Sequence, residues 1–217
     1  MSDEIIEKLR TLSTSSVSDA MDRLGIAGQC LGIKPLSTDF RLCGRAFTMH
    51  MAPAAIPAGS VGDYIDDVKP GEVVVIDNHG REDMTVWGDI LTFLAKKMGV
   101  EGTVIDGHCR DVHLALEREY PMYSRGWSMR TGKDRVQMDD VNVPVSIGGA
   151  RVHPGDILLG DADGVVCLPN DHVSAILEIC ADIEEAEEHI RAAIDSGMRL
   201  DDARKEFRYH QLQTREK

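Results

Sequence analysis

Apolar and polar positions change period several times along the chain, and each change predicts an element. Residues 3–12 (DEIIEKLRTL) repeat apolar side chains at helical spacing, with acids in the first turn, and predict a helix. Thr14-Ser15-Ser16 supplies a helix cap, and residues 17–24 make a second helix that Gly25 ends. Residues 26–42 carry no clear period and read as loop. Residues 45–51 (RAFTMHM) alternate and predict a strand. Pro53 and Pro57 mark a loop beside a cleft. Residues 61–68 read as a short acidic helix, stopped by Pro70-Gly71. The unbroken β-branched run in residues 72–77 (EVVVID) predicts a strand covered on both faces. The polar residues 78–87 are expected to form a loop, longer than most connections and therefore a functional candidate.

Residues 88–111 (GDILTFLAKKMGVEGTVIDGHCRD) organise what surrounds them. Asp89 opens a helix whose apolar positions are Ile90, Leu91, Phe93, Leu94 and Met98. The chain turns at Gly99 and Gly102, and a strand follows over residues 103–105. Asp106-Gly107 is expected to be a turn, and Arg110-Asp111 stands at the mouth of a second helix, residues 112–118. If strand 73–76 runs parallel to strand 103–105, both helix starts face one edge of the sheet. That edge, at the carboxyl ends of parallel strands, is where open α/β sheets bind ligands.

Beyond Pro121 another strand-like piece begins, and residues 124–140 read as a long polar segment with Arg125, Arg130, Lys133 and Arg135. That basic segment either selects a second substrate carboxylate or is a solvated loop. Short strands at 143–147, 157–159 and 165–168, with turns at Gly148-Gly149 and 161–164, predict a small antiparallel portion. Pro169-Asn170-Asp171 starts a long helix over 172–196, ended by Gly197, and a last helix covers 201–209. Strand–helix units mixed with a β-meander give an α/β class, a layered sandwich. One domain is expected over 1–217, with N-terminal helices at 3–25 and C-terminal helices at 171–209.

Composition narrows the function. The 24 basic and 37 acidic residues leave a net charge of −13, which argues against nucleic acid or an anionic membrane as partner, because phosphate contact needs clustered Lys and Arg. It leaves room for a local cationic pocket. The five cysteines are widely spaced without a C-x-x-C, and the opening MSDEIIEKLR is polar and acidic. Free thiols in the cytoplasm are expected. No apolar run approaches the ~18 residues a membrane span needs.

Several residues carry possible chemistry, and each has a structural explanation too. Asp89 and Asp111 suit helix N-caps, and Arg110 could be a surface arginine. Together, two carboxylates and a guanidinium at one sheet edge make a site for a hard divalent cation and an anionic substrate. Oxygen ligands without a Cys/His cluster point to Mg²⁺ or Mn²⁺ rather than Zn²⁺. His108 and His113 lack a zinc-protease spacing. Cys109 would need a lowered thiol pKa to be a nucleophile. Lys96 and Lys97 read as solvated, unlike a Schiff-base lysine. The acidic run Glu184, Glu185, Glu187 and Glu188 is a solvated helix face or a reach across a subunit interface.

The spacing Asp89, twenty residues, then Arg110-Asp111 resembles the D-x20-R-D signature of the class II, divalent-metal-dependent 4-hydroxy-4-methyl-2-oxoglutarate / 4-carboxy-4-hydroxy-2-oxoadipate aldolases. These share a fold with ribonuclease E activity regulator A. The likeness also runs through SSVSDAMDRLG, GRAFTM, KPGEVVVID, GVEGTVIDGHCRD and VHPGDILLGDADGVVCLP. The resemblance implies an α/β/β/α sandwich with a mixed sheet, assembled as homotrimers or homohexamers with sites between subunits. It implies a lyase that cleaves a 4-hydroxy-2-keto acid to release pyruvate, with oxaloacetate decarboxylase side activity. Asp111 would ligate Mg²⁺ or Mn²⁺, Asp89 would hold its waters, and Arg110 would neutralise the enolate oxygen. Backbone N–H groups of Gly88, Asp89, Ile90 and Leu91 would bind the pyruvate carboxylate. Glu187 of a neighbouring subunit would complete the outer sphere. The alternative is a non-catalytic regulatory or binding protein of the ribonuclease E regulator type. Such regulators can lack the second acid of the Arg-Asp pair, whereas Asp111 is present here. The tail MRLDDARKEFRYHQLQTREK departs from the aldolase pattern, which leaves the substrate open.

Overall fold

The computed structural model describes residues 3–209. In chain order the helices are α1 (Asp3–Arg10), α2 (Thr14–Leu24), α3 (Asp89–Met98), α4 (Val112–Glu117), α5 (Val173–Asp195) and α6 (Leu200–Glu206). The strands are β1 (Lys34–Pro35), β2 (Leu42–Pro53), β3 (Glu72–Thr85), β4 (Gly102–Cys109), β5 (Met122–Trp127), β6 (Val136–Val141), β7 (Val145–Ile147), β8 (Ala150–Val152), β9 (Ile157–Asp161) and β10 (Gly164–Leu168). The main sheet has the order β1-β5-β4-β3-β2-β9-β10, with β6 also paired to β2, and β7–β8 form a separate hairpin. The pairs β2–β3, β3–β4 and β4–β5 are parallel, and the rest are antiparallel. The sheet is mixed, as expected.

Alternation along the central strands decides the layers. Phe47, Met49, Met51, Val74, Ile76 and Ile105 pack on one face with Ala95 of α3 and Ala115 of α4. Ala46, Val73, Val75 and Val104 pack on the other face with the β7–β8 hairpin, through Val145, Ile147 and Val152. A third cluster joins α1, α2 and α5 to Ile157, Leu159, Val166 and Leu168 of β9 and β10. The fold is a layered α/β sandwich with a mixed sheet: helices cover one face of the main sheet and the β7–β8 hairpin packs on the other. Among the described residues no helix is long and apolar enough to cross a membrane.

Several elements differ from expectation, each for a local reason. Residues 78–85 are not a loop. β3 continues to Thr85 through two register shifts against β4, and His79 (φ 55°) and Gly80 (φ 66°) take up the irregularity. A pattern search for strict alternation misses such bulges. Asp106-Gly107 is likewise strand rather than turn, because Asp106 pairs with Asp77 across the sheet. Residues 124–140 comprise the end of β5, a connection over 128–135 and most of β6. The short acidic helix is a 3-10 helix confined to Asp63–Asp67. The cap of α2 is Ser13, whose hydroxyl accepts the Ser16 N–H at 3.0 Å, one residue before the expected cap. α6 ends at Glu206, and the tail from 210 onward lies outside the described residues.

Candidate functional site

β3 and β4 run parallel, and each leads into a helix, so the starts of α3 and α4 meet at one sheet edge. Two backbone hydrogen bonds extend the pairing past the strands: Val86 N–H to His108 O at 3.2 Å and Arg110 N–H to Trp87 O at 3.0 Å. Asp89 is the first residue of α3, after an N-cap at Gly88. Asp111 is the N-cap of α4 and adopts the left-handed conformation (φ 57°), which Asp tolerates better than most residues. The Asp89 N–H donates to Asp111 Oδ2 at 3.1 Å. Arg110 Nε lies 3.4 Å from the same oxygen. The structure therefore brings Asp89, Arg110 and Asp111 together, all half-buried.

The first turn of α3 is fixed from beneath. The buried Trp87 indole donates to the Thr92 hydroxyl at 2.9 Å, and that hydroxyl donates to Gly88 O at 3.0 Å. Glycine at 88 leaves room for this arrangement, since a Cβ there would lie 2.8 Å from Asp111 Oδ2 and 3.0 Å from Arg110 Nε. A cleft of about 200 Å³ opens beside these residues. Gly88 to Leu91 and Arg110 line it, with Thr131, Gly132 and Lys133 from the β5–β6 connection. Of the basic segment, Lys133 borders this cleft. Arg125 instead pairs with buried Asp106, and Arg130 lies 3.6 Å from Asp83. Two carboxylates offering oxygen alone, beside a small cleft, fit a hard cation that keeps much of its water.

The other candidates fall elsewhere. Glu187 sits on α5, where Arg191 Nη1 is 3.3 Å away. α5 packs on α2 and the β9–β10 strands, so one chain alone does not carry Glu187 to the cleft. Cys109 is buried, and burial pushes its thiol up to about 11, against a lowering by the Ser124 hydroxyl. His113 is exposed, and His108 lies on β4 with its Nδ1 buried and without a hydrogen-bond partner.

Sequence reasoning missed a second cluster. The ligand atoms of His50, Asp77 and His79 all lie within 4.8 Å of one another. His50 pairs with Asp77 in the β2–β3 register. The buried Asp77 carboxylate accepts the His79 N–H on Oδ1 at 2.9 Å and the Ser146 N–H on Oδ2 at 3.0 Å. The two imidazoles meet edge to face, 4.7 Å between centroids. The available signal was positional: His50 and Asp77 stand near the carboxyl ends of two predicted neighbouring strands.

A family model described as RraA-like, Aldolase/RraA, matches residues 14–167. Protein DlpA of Legionella pneumophila is 38% identical over 210 residues, which are 95% of this chain but 34% of that protein. The chain thus spans about a third of the length of that relative. A Halalkalibacterium halodurans protein provisionally named 4-hydroxy-4-methyl-2-oxoglutarate aldolase is 33% identical over 175 residues, 81% of each chain. Among solved structures, an uncharacterized protein from Pseudomonas syringae superposes with TM-score 0.87 at 38% identity, over 94% of this chain and 98% of that one. Streptomyces coelicolor RraAS2, described as an unusual member of the RNase ES inhibitor RraA protein family, superposes with TM-score 0.82 at 26% identity, over 88% of this chain and 97% of its own.

Proposed function

The chain belongs to the RraA-like, Aldolase/RraA family, whose model covers residues 14–167, and from that premise we propose that it is a carbon–carbon lyase releasing pyruvate from a 4-hydroxy-2-keto acid. The observation that carries the reading is the meeting of Asp111 with Asp89 and Arg110, the latter two lining one cleft. The aldolase name of the Halalkalibacterium relative supports the reaction class.

Retro-aldol cleavage breaks the C3–C4 bond. The 4-hydroxyl gives up its proton and becomes a carbonyl, and the bonding pair moves to the pyruvate half as an enolate. Protonation at C3 completes pyruvate. The barrier lies in the developing negative charge on the keto oxygen, so fixed positive charge there accelerates the reaction. Arg110 supplies such charge and donates hydrogen bonds to that oxygen. The N–H groups of Gly88, Ile90 and Leu91 hold the substrate carboxylate at the start of α3; that of Asp89 is already given to Asp111. Asp89 orders the water that takes the hydroxyl proton. Asp111, with Asp89 through water, would hold Mg²⁺ or Mn²⁺, and the bound cation would supply Lewis-acid polarisation of the keto group. Decarboxylation of oxaloacetate yields the same enolate with loss of CO₂, so it belongs to the same site.

Assembly into trimers or hexamers follows from the same reading, with Glu187 of a neighbour closing the cleft. Large apolar side chains left open support a covered surface: Ile90 is 75% exposed, and Met129 is 88% exposed. The competing reading, a non-catalytic regulator, finds support in the likeness to RraAS2. A screen of 4-hydroxy-2-keto acids with Mg²⁺ or Mn²⁺, following pyruvate with and without chelator, separates the two. The lyase reading expects chelator-sensitive pyruvate release from at least one substrate. Absence of release from every 4-hydroxy-2-keto acid and from oxaloacetate would refute it.

A further inference from the structure

A second cluster of ligand-type side chains, of different chemistry, lies on the sheet face opposite α3 and α4. Met49 and Met51 of β2 pack toward α3 and α4, so His50 between them points to the other face. Val74 and Ile76 of β3 share that helix-side core, so Asp77 points the same way as His50. The bulge after Asp77 then folds His79 back onto them. His79 does this at φ 55°, a sparsely populated conformation for a residue with a Cβ. From β6, Asp139 Oδ2 comes within 3.6 Å of His50 Nδ1.

We propose that His50, Asp77 and His79, with Asp139 beside His50 as its carboxylate partner, form a three-ligand binding site for a borderline transition-metal ion, Zn²⁺ above all, separate from the Asp89–Asp111 cleft. Imidazole nitrogen selects Zn²⁺ and its neighbours in the series over Mg²⁺. Two nitrogens and one carboxylate oxygen make three of four tetrahedral positions, the fourth left to water, with donors about 3.3 Å apart at ordinary zinc bond lengths. The ligand atoms of His50, Asp77 and His79 lie within 4.8 Å of one another, a spacing that rotation of the two imidazoles, whose side chains are 32% and 47% exposed, would close. That exposure also supplies an entry path. Asp77 is oriented before any ion arrives, because each oxygen accepts one backbone N–H. Each carboxylate oxygen retains a further lone pair for a cation. The Ser146 hydrogen bond tethers β7 to β3 through Asp77, so an ion bound here bears directly on the hairpin layer.

The test is calorimetric titration of the untagged full chain with zinc chloride at neutral pH. Three proteins are compared: wild type, Asp111→Ala, and the double variant His50→Ala/His79→Asn. Asn is chosen at 79 because it tolerates the left-handed backbone. Wild type and Asp111→Ala are expected to share one zinc-binding step of equal affinity, and the double variant to show that step at least ~100-fold more weakly. Imidazole NMR of the wild type, which needs no variant, should show zinc shifting the His50 and His79 resonances. Undiminished zinc affinity in the folded double variant would overturn the proposal. So would zinc-induced shifts confined to other histidines, or no zinc binding by the wild type. Loss of zinc binding in Asp111→Ala would place the ion in the other cleft and overturn it equally.

Discussion

The backbone N–H of Asp89 donates to Asp111 Oδ2 at 3.1 Å, across 22 positions of sequence. This bond locks the first turn of α3 to the N-cap of α4. Arg110 approaches the same oxygen, so the three residues form one unit on two parallel strand ends. Rigid elements hold the unit in place, as efficient chemistry requires.

Gly88→Ala tests that unit without touching a charged group. The new Cβ would press on Asp111 Oδ2 and Arg110 Nε, both at or inside 3.0 Å. Side-chain ends can move aside, so thermal stability should change little. Displacing them by a fraction of an ångström should lower kcat by roughly 10-fold or more, since misplacement near 1 Å can cost ~100-fold. Steady-state kinetics beside a melting curve checks both halves. Unchanged kcat would show that the packing against Gly88 is not limiting.

Arg110 is assigned the developing oxyanion. Arg110→Ala should lower kcat by roughly 100- to 1000-fold, the scale for losing one such donor. Arg110→Lys should recover only part, because an ammonium keeps the charge but loses the planar fork. A loss confined to KM would assign Arg110 to ground-state binding instead.

What was legible in the sequence follows from how local each feature is. The run EVVVID and the acids at two helix starts report on neighbouring residues, so β3, α3, α4 and their shared edge were readable. The continuation of β3 through Thr85 was not. His79 and Gly80 leave regular strand geometry there, and polar residues within a bulged strand look like a loop. The His50–Asp77–His79 cluster depends on the register of β2 against β3, which periodicity does not fix. Glu187 was legible only as part of an acidic helix face, because its expected role belongs to an assembly rather than to one chain.

Asp161 ties the start of α2 to the β9–β10 turn. The Thr14 hydroxyl and N–H donate to it at 2.7 and 2.8 Å, and the Asp163 N–H at 3.0 Å. Burial works to raise its pKa, but these hydrogen bonds, aided by Arg41, outweigh burial and hold the carboxyl below the usual range. A depressed folded value means that the stabilisation is present above the unfolded pKa of about 3.9 and is lost as pH falls through the folded one. Asp161→Asn should therefore cost about 1–3 kcal/mol at pH 7, and its deficit against wild type should shrink in acid. Urea midpoints at neutral and acid pH check this. A deficit independent of pH would contradict it.

The cysteines are all buried, and burial pushes Cys30, Cys43 and Cys180 up to about 12. Cys109, next to Arg110 in sequence, reaches about 11. A thiol-specific chromogenic reagent should react slowly with the native protein at pH 8, and with all five thiols quickly in denaturant. Rapid native labelling accompanied by loss of activity would reopen a catalytic role for Cys109.

The central claim is that Asp89, Arg110 and Asp111 stabilise the enolate of pyruvate, whatever the other half of the substrate. The most direct measurement is exchange of the pyruvate methyl protons in D₂O, followed by NMR, with Mg²⁺, with chelator, and with the Asp111→Asn variant. Asn preserves the size and the left-handed backbone of position 111. Exchange by the wild type that requires the metal and falls at least ~100-fold in Asp111→Asn is the predicted result. Folded wild-type protein that catalyses no exchange with either Mg²⁺ or Mn²⁺, or an Asp111→Asn variant that exchanges at the wild-type rate, would contradict it.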